Sequence, residues 1–457
     1  MKAHEIVERA LAGPVGVGRV VLVSETSEAV LRWANSTMTT NGHTTARRVA
    51  VVTLETVGSG TAAGVVSSGA PLPDAAAVDD LVTAARRAAR EAGPARDVAP
   101  LPEPAVDDPA WADGPVETSI GVFGRLVTGL SGVLDGPLRH YGFASHELTT
   151  VWLGTSTGVR RRWVQPTGSV ELNVKTPDLQ GSAWTGVSTA AFTDVDVVAL
   201  AADATSRLDW GARRVTLPPG RYETLLPPSA VSDLLLMLAW SMDGRAAQEG
   251  RSALAGPDGP RIGERLTDRP LTMASDPAAP GLEYAPFVTA LRSGEGTSVF
   301  DNGAPARRVE WLRDGAVHEL AYSRAEAAEF GTAFAPAGDN LLLTGGSAAS
   351  LADMVAGTRR GLLLTCLWYI REVDPATLLL TGLTRDGVYL VENGEVVAEV
   401  DHNFRFNHSP LDVLRHATEV GATERTLPRE WKDWFTRVAM PPIRVPDFTM
   451  SSVSPGR

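Results

Sequence analysis

PSAVSDLLLMLAWSMDGRAAQEG, residues 228–250, decides how this chain is read. It opens on proline and serine, runs through an unbroken apolar block from Leu234 to Trp240, and closes on Asp243-Gly244. Ser229, after Pro227-Pro228, is the expected N-cap. Ser232 and Asp233 fall in the first turn, where free N–H groups and the helix dipole favour them. Gly244 is the expected stop. A helix that is apolar on every side must be buried on every side, within one domain or under a partner. Its central turns carry no His, Asp, Glu, Cys or Lys, so local physics reads it as a core helix without chemistry.

Downstream the chain alternates Gly/Asp turns with short strands: NLLLTGG (340–346), GLLLTCLWYI (361–370), GVYLVENGEVVAEV (387–400) and NFRFN (403–407). In the third, Asn-Gly between two alternating runs marks a hairpin turn. Upstream, residues 3–11 read as an amphipathic helix. VGRVVLVSET (17–26) and VLRWANSTMTTNGHTTARRVAVVTLE (30–55) read as strands bracketing a Thr-Asn-Gly turn. DAAAVDDLVTAARRAAREAG (74–93) has the Asp-first, Arg-last, Gly-closing order of a helix. A helix, a strand pair with a Gly/Ser/Thr-rich hairpin and a further helix recur over 121–212, a weak internal duplication.

Antiparallel strands mixed with helices, without a βαβ rhythm, predict an α+β fold. The expected organisation is an N-terminal mixed helix/antiparallel-sheet domain (1–97), a Pro/Asp-rich linker or surface loop (98–117), and a central segment (118–215) packed with the first. A β-rich C-terminal domain (216–457) carries the buried apolar helix.

The 457 residues carry a formal net charge of −12, against the basic face that nucleic acid requires. The single cysteine, Cys366, rules out an internal disulfide and fits a reducing cytoplasm. The N-terminus has no signal-peptide apolar region, and no apolar run approaches a membrane span.

Candidate chemistry is sparse. His4, His146 and His318 precede glutamates, but none has a second histidine at zinc-helix spacing. His402 and His408 lie on one probable strand and could share a face, with Cys366 joining them if the fold allows, as an unconventional metal site. Burial in an apolar run would raise the Cys366 pKa and leave the thiol inert. Arg160, Arg161 and Arg162 form the densest basic cluster; it reads first as a solvated strand end, with a contact for substrate or partner as the alternative.

GRYETLLPPSAVSDLLLMLAWSMDGRAAQEGRSALAG (220–256) and RIGERLTDRPLTMASDPAAPG (261–281) resemble the TldD/PmbA family. Residues 27–52 and 340–365, followed by GVYLVENGEV, resemble that family's first and last blocks. In the family's catalytic subunit this helix bears H-E-x-x-x-H. The two histidines bind zinc, the glutamate acts as general base, and a cysteine near the C-terminus adds a ligand. Here the corresponding window, within one or two residues, is LMLAWS, with Leu236, Met237 and Ser241 in those places, and no cysteine follows Cys366. The resemblance therefore implies the PmbA (TldE)-type subunit. Such a chain is noncatalytic and zinc-free itself, works in a heterodimer or larger heteromer beside a zinc-bearing HExxxH partner, and acts on unfolded peptides, leader segments among them. Two other classes compete: a self-sufficient metal-dependent hydrolase using His402, His408 and Cys366, and a non-enzymatic peptide- or protein-binding regulator.

Overall fold

A computed structural model describes residues 1–12, 18–104 and 108–454. Its first hairpin turns at Asn35-Ser36, both at positive φ (51° and 57°), the left-handed pair that suits the twist of the flanking strands. Strands β1 (Gly18–Ala34) and β2 (Thr37–Val57) pair along their whole length, from Gly18↔Leu54 to Ala34↔Thr37. This corrects the turn expected at Thr-Asn-Gly: Asn41 and Gly42 lie inside β2, opposite Leu31 and Val30. The alternation of Ala29, Leu31 and Trp33 keeps burying side chains, so the strand continues until Asn35 supplies a residue tolerant of positive φ.

The remaining strands of this sheet are β3 (Gly60–Ser68), β4 (Arg139–Thr155), β5 (Arg160–Lys175) and β6 (Ser182–Ser188). Their order is β3-β2-β1-β4-β5-β6, with β1 and β4 antiparallel at the centre. Helices α1 (Ala3–Leu11) and α2 (Ala75–Ala92) cover one end through Ile6, Val7, Val78 and Ala85, packed on Val21, Val23, Val49 and Val51. Helices α3 (Gly124–Val133) and α4 (Val197–Trp210) cover the other end, over Leu31, Trp33, Val170 and Leu172. Val21, Val23, Leu31 and Trp33 are alternate positions of β1, so both helix pairs lie on one face. The chain thus repeats helix, three strands, helix, and one sheet joins the stretches 1–97 and 118–215. Helix α2 is capped as its sequence dictates: the Asp74 carboxylate accepts from the Ala77 N–H, and Gly93 follows at φ 74°.

The sheet's second face packs on the C-terminal half, where Val20, Leu22, Ala50 and Val52 meet Phe287, Val299 and Phe300. Leu101, from the Pro/Asp-rich stretch, is buried in this layer. Thr157 Oγ1 donates to Pro102 O (2.6 Å), so Leu101 and Pro102 lie against the sheet.

The C-terminal half holds a ten-stranded and a six-stranded sheet. Helix α5 (Pro228–Trp240) shares one core with residues of both, from Phe404 and Ile443 to Met273, Trp311 and Leu341. Leu234, Leu235, Leu236 and Leu238 are fully buried, each contributing about 1.5–3 kcal/mol. Asn393 and Gly394 (φ 51° and 87°) make the expected hairpin between Val388–Glu392 and Glu395–Val400, while GLLLTCLWYI breaks into two strands at Thr365-Cys366. The architecture is α+β. Among the described residues no helix is long and apolar enough to cross a membrane.

Both expected ends of α5 are corrected. Pro227 is the N-cap and Pro228 the first helical residue, where a missing N–H costs nothing. Ser229 therefore lies inside the helix, and Ser232 Oγ donates to its carbonyl (2.6 Å). At the other end the C-cap is Ser241, and Gly244 instead starts the short helix Gly244–Gln248, capped by Asp243 accepting from Ala246 N (3.0 Å). Glycine is required there by close approach, because a Cβ would lie 2.2 Å from the Tyr322 ring. Gly244→Ala is expected to cost about 1–3 kcal/mol by overpacking, read as a lower urea midpoint.

Candidate functional site

On α5 the side chains of Leu236, Ala239 and Trp240 stand at i, i+3 and i+4, one stripe of the helix. That stripe lines a cavity of about 500 Å³. Trp311, Leu341 and Phe435 form further walls, and the loop 289–297 borders it, with Gly294 and Glu295 at positive φ. Its interior polar groups are already engaged. The Asn340 carbonyl oxygen accepts from Ser275 Oγ (2.9 Å) and Asp276 N (2.8 Å), and its amide donates to Asp276 O (2.6 Å) and Leu282 O (2.8 Å). Asp243 serves as the helix cap, and burial raises its carboxyl pKa.

Another side of α5 carries an anchor that the sequence reading missed. Asp233 is fully buried, and its carboxylate accepts from Glu430 N (2.9 Å) and Arg429 N (3.2 Å). Desolvation pushes this carboxyl well above the ordinary range, against the two N–H groups that favour its charged form. Trp431 Nε1 donates to Asp233 O (2.9 Å), and its ring meets Trp240 edge-on at 5.0 Å. Glu430 in turn accepts from Tyr369 N (3.0 Å) and Ile370 N (3.2 Å), holding Tyr369 at φ 52°. The Arg429 guanidinium lies 5.1 Å from the Trp184 ring and 4.8 Å from that of Trp368, with Glu171 at 3.6 Å. One loop thus ties α5, the N-terminal sheet and a C-terminal strand together. An acid within an apolar run was the only sequence signal, and Asp233 was there given the role of favouring the helix dipole.

The residues in the place of the zinc helix separate. Leu236 lines the cavity, Met237 packs half-buried against the core, and Ser241 Oγ donates to Met237 O (2.8 Å). A catalytic zinc takes three protein ligands with one position open. Among the described residues Asp243 and Glu295 are the only Asp, Glu, His or Cys residues lining this cavity, and no cluster of three or more such side chains could hold a metal. These residues do not fit a catalytic zinc.

The alternative metal site is corrected. His408 ends the strand Asn403–His408, while His402 lies just before its first residue, so the two stand at opposite ends with Phe404 and Phe406 between them. His402 Nδ1 pairs with Asp401 Oδ1 (2.8 Å), and His408 stacks on Phe448 (4.6 Å between ring centres). Cys366 is buried against Trp184 and Leu427, its thiol pushed up to about 12 by burial.

The arginine cluster is not a solvated strand end. Arg160 forms a two-bond pair with Glu8 (2.6 and 2.8 Å) and lies over Trp111. Arg162 N donates to Asp108 Oδ2 (2.9 Å), its guanidinium to Gly114 O (2.6 Å), and it lies over Trp152. Arg161 faces Leu153 across the β4–β5 pair. Two of the three thus hold the loop 108–114 on the sheet.

Residues 219–452 match a family model described as the PmbA/TldA metallopeptidase C-terminal domain. No curated protein matches. The fold is similar to TldE from Thermococcus kodakarensis (TM-score 0.74, 16% identity, covering 94% of this chain and 96% of that one). It is equally similar to a Thermotoga maritima protein described as a modulator of a DNA gyrase (0.74, 17%, covering 97% and 99%). A Bacteroides thetaiotaomicron protein so described gives 0.72 at 15% identity, covering 98% of each chain.

Proposed function

This chain belongs to the PmbA/TldD metallopeptidase family, and from that premise we propose that it is the zinc-free subunit of a heteromeric peptidase acting on unfolded peptides. Its partner is a homologous chain that carries HExxxH and the zinc. The observation behind this reading is the stripe Leu236, Ala239, Trp240: the helix that mounts zinc in catalytic relatives here presents hydrocarbon and indole to the cavity. The chain's contribution is then a cavity wall, an interface and a strand edge. Among the described residues Thr37–Arg48 of β2 pair only with β1, since β3 joins β2 from Val49. This exposed edge offers main-chain donors and acceptors to an extended peptide or a partner strand. The buried thiol of Cys366 suits the reducing cytoplasm in which the proposal places the complex.

The test is to purify the chain alone and with an HExxxH partner, measuring bound zinc and cleavage of an unstructured peptide. The lone chain is expected to hold substoichiometric zinc and cleave nothing, and the pair to cleave. Stoichiometric zinc and activity in the lone chain would overturn the reading. A pair that binds peptides without cleaving them would favour a binding regulator instead.

A further inference from the structure

The cavity beside α5 has a definite chemical character. Its volume of about 500 Å³ falls within the range of ligand sites. Leu236, Ala239, Trp311, Leu341 and Phe435 give it apolar walls, and of its polar lining groups Asn340, Asp243 and Thr297 are bonded within the chain. The rim differs: Arg292 and Glu295 carry opposite charges there and make no ion pair or side-chain hydrogen bond among the described residues. Large apolar groups also stand open, with Trp240 45% and Leu291 41% exposed on the cavity lining. Trp434, 80% exposed, precedes Phe435 on the loop that enters the cavity.

We infer that this cavity is a side-chain pocket that takes one bulky apolar or aromatic residue of an extended peptide, with main-chain and polar neighbours held at the charged rim. The inference rests on the peptide-binding reading above and adds a residue preference to it. Apolar walls favour the occupant by removing its hydrocarbon from water, and the engaged interior polar groups penalise a polar one.

The test uses the full chain and fluorescein-labelled Gly/Ser peptides that differ in one central residue, Phe, Leu or Ser, with affinity read by anisotropy. The Phe and Leu peptides are expected to bind about tenfold more tightly than the Ser peptide. Ala239→Trp, which fills the cavity, is expected to bring all three to the Ser level. Leu291→Asp, at the exposed rim, should weaken the Phe and Leu peptides while leaving the fold intact by circular dichroism, so the pocket stays testable if the helix variant fails to fold. Equal affinity for the three peptides, or tight Phe binding that both variants leave unchanged, would overturn the pocket. The two readings fail separately. Peptide binding without residue preference, with cleavage by the paired complex, removes the pocket alone. A pair that neither binds nor cleaves peptide removes both.

Discussion

Replacing Asp233 with alanine is expected to lower the unfolding free energy by about 2–5 kcal/mol and to open the loop at residues 429–434 to trypsin. The carboxylate takes the N–H groups of Arg429 and Glu430 inside a fully buried site. Alanine leaves both donors without acceptors, at about 1–3 kcal/mol each. Asp233→Asn retains one acceptor but turns an NH2 toward the second donor, so it should fall between wild type and alanine. The pH dependence has a definite sign. Burial raises the folded-state pKa of Asp233 above its unfolded value. Its stabilisation is therefore fully present below the unfolded pKa and declines as pH rises through the folded one. The penalty of the alanine variant should accordingly shrink from acid toward neutral pH in urea titrations. A variant with the wild-type midpoint and no new cleavage at Arg429 or Lys432 would dispose of the anchor.

The anchor and the cavity belong to one arrangement. The loop that Asp233 holds also sets Trp431 against Trp240 and carries Phe435 into the cavity wall. Helix α5 thus presents one stripe to the cavity while another side fixes the loop that completes it. A catalytic helix would need ligands on the first stripe. This one carries a single acid, Asp233, and uses it to position the loop 429–434.

What the sequence disclosed follows the range of the forces involved. Burial of Leu234 to Leu238, the Asp74 and Gly93 caps of α2 and the Asn393-Gly394 turn are settled within a few residues, and all were legible. The turn at Asn35-Ser36 was not, because Asn41-Gly42 is an equally good local signal, and the full-length pairing of β1 with β2 chooses between them. Asp233 was ambiguous for the same reason: its partners lie almost two hundred residues downstream. Arg160 and Arg162 read as a solvated strand end, or else a binding patch, while Glu8, Asp108 and Gly114 were out of view. The cavity itself draws on α5, the loop 289–297, Trp311 and Phe435, segments that no periodicity connects. His402 and His408 read as neighbours on one strand, but the strand starts at Asn403, and each of its residues adds roughly 3.3 Å between the two ends.

His408 gives the second large effect. Its ring stacks on Phe448, its Nε2 is buried without a hydrogen-bond partner among the described residues, and desolvation lowers its pKa from 6.5 to about 4. Asp412 and Asp447 pull the other way, while His416 and Arg221 reinforce the shift, all more weakly than burial. Between pH 6.5 and 4 the unfolded chain binds a proton here that the folded chain refuses. Stability therefore rises with pH across this window and is lost as pH falls. A shift of that size corresponds to about 3 kcal/mol in full, of which about 2 kcal/mol is already lost at pH 5. His408→Phe keeps a planar ring on Phe448 and removes both the orphaned nitrogen and the titration. The variant should match or slightly exceed wild type at pH 7.5 and be about 2 kcal/mol more stable at pH 5, because the other titrating groups cancel between the two proteins. Urea denaturation of both at the two pH values isolates the difference. Parallel pH dependences would mean that His408 is protonated in the folded protein, and that the face it shares with Phe448 is open to water.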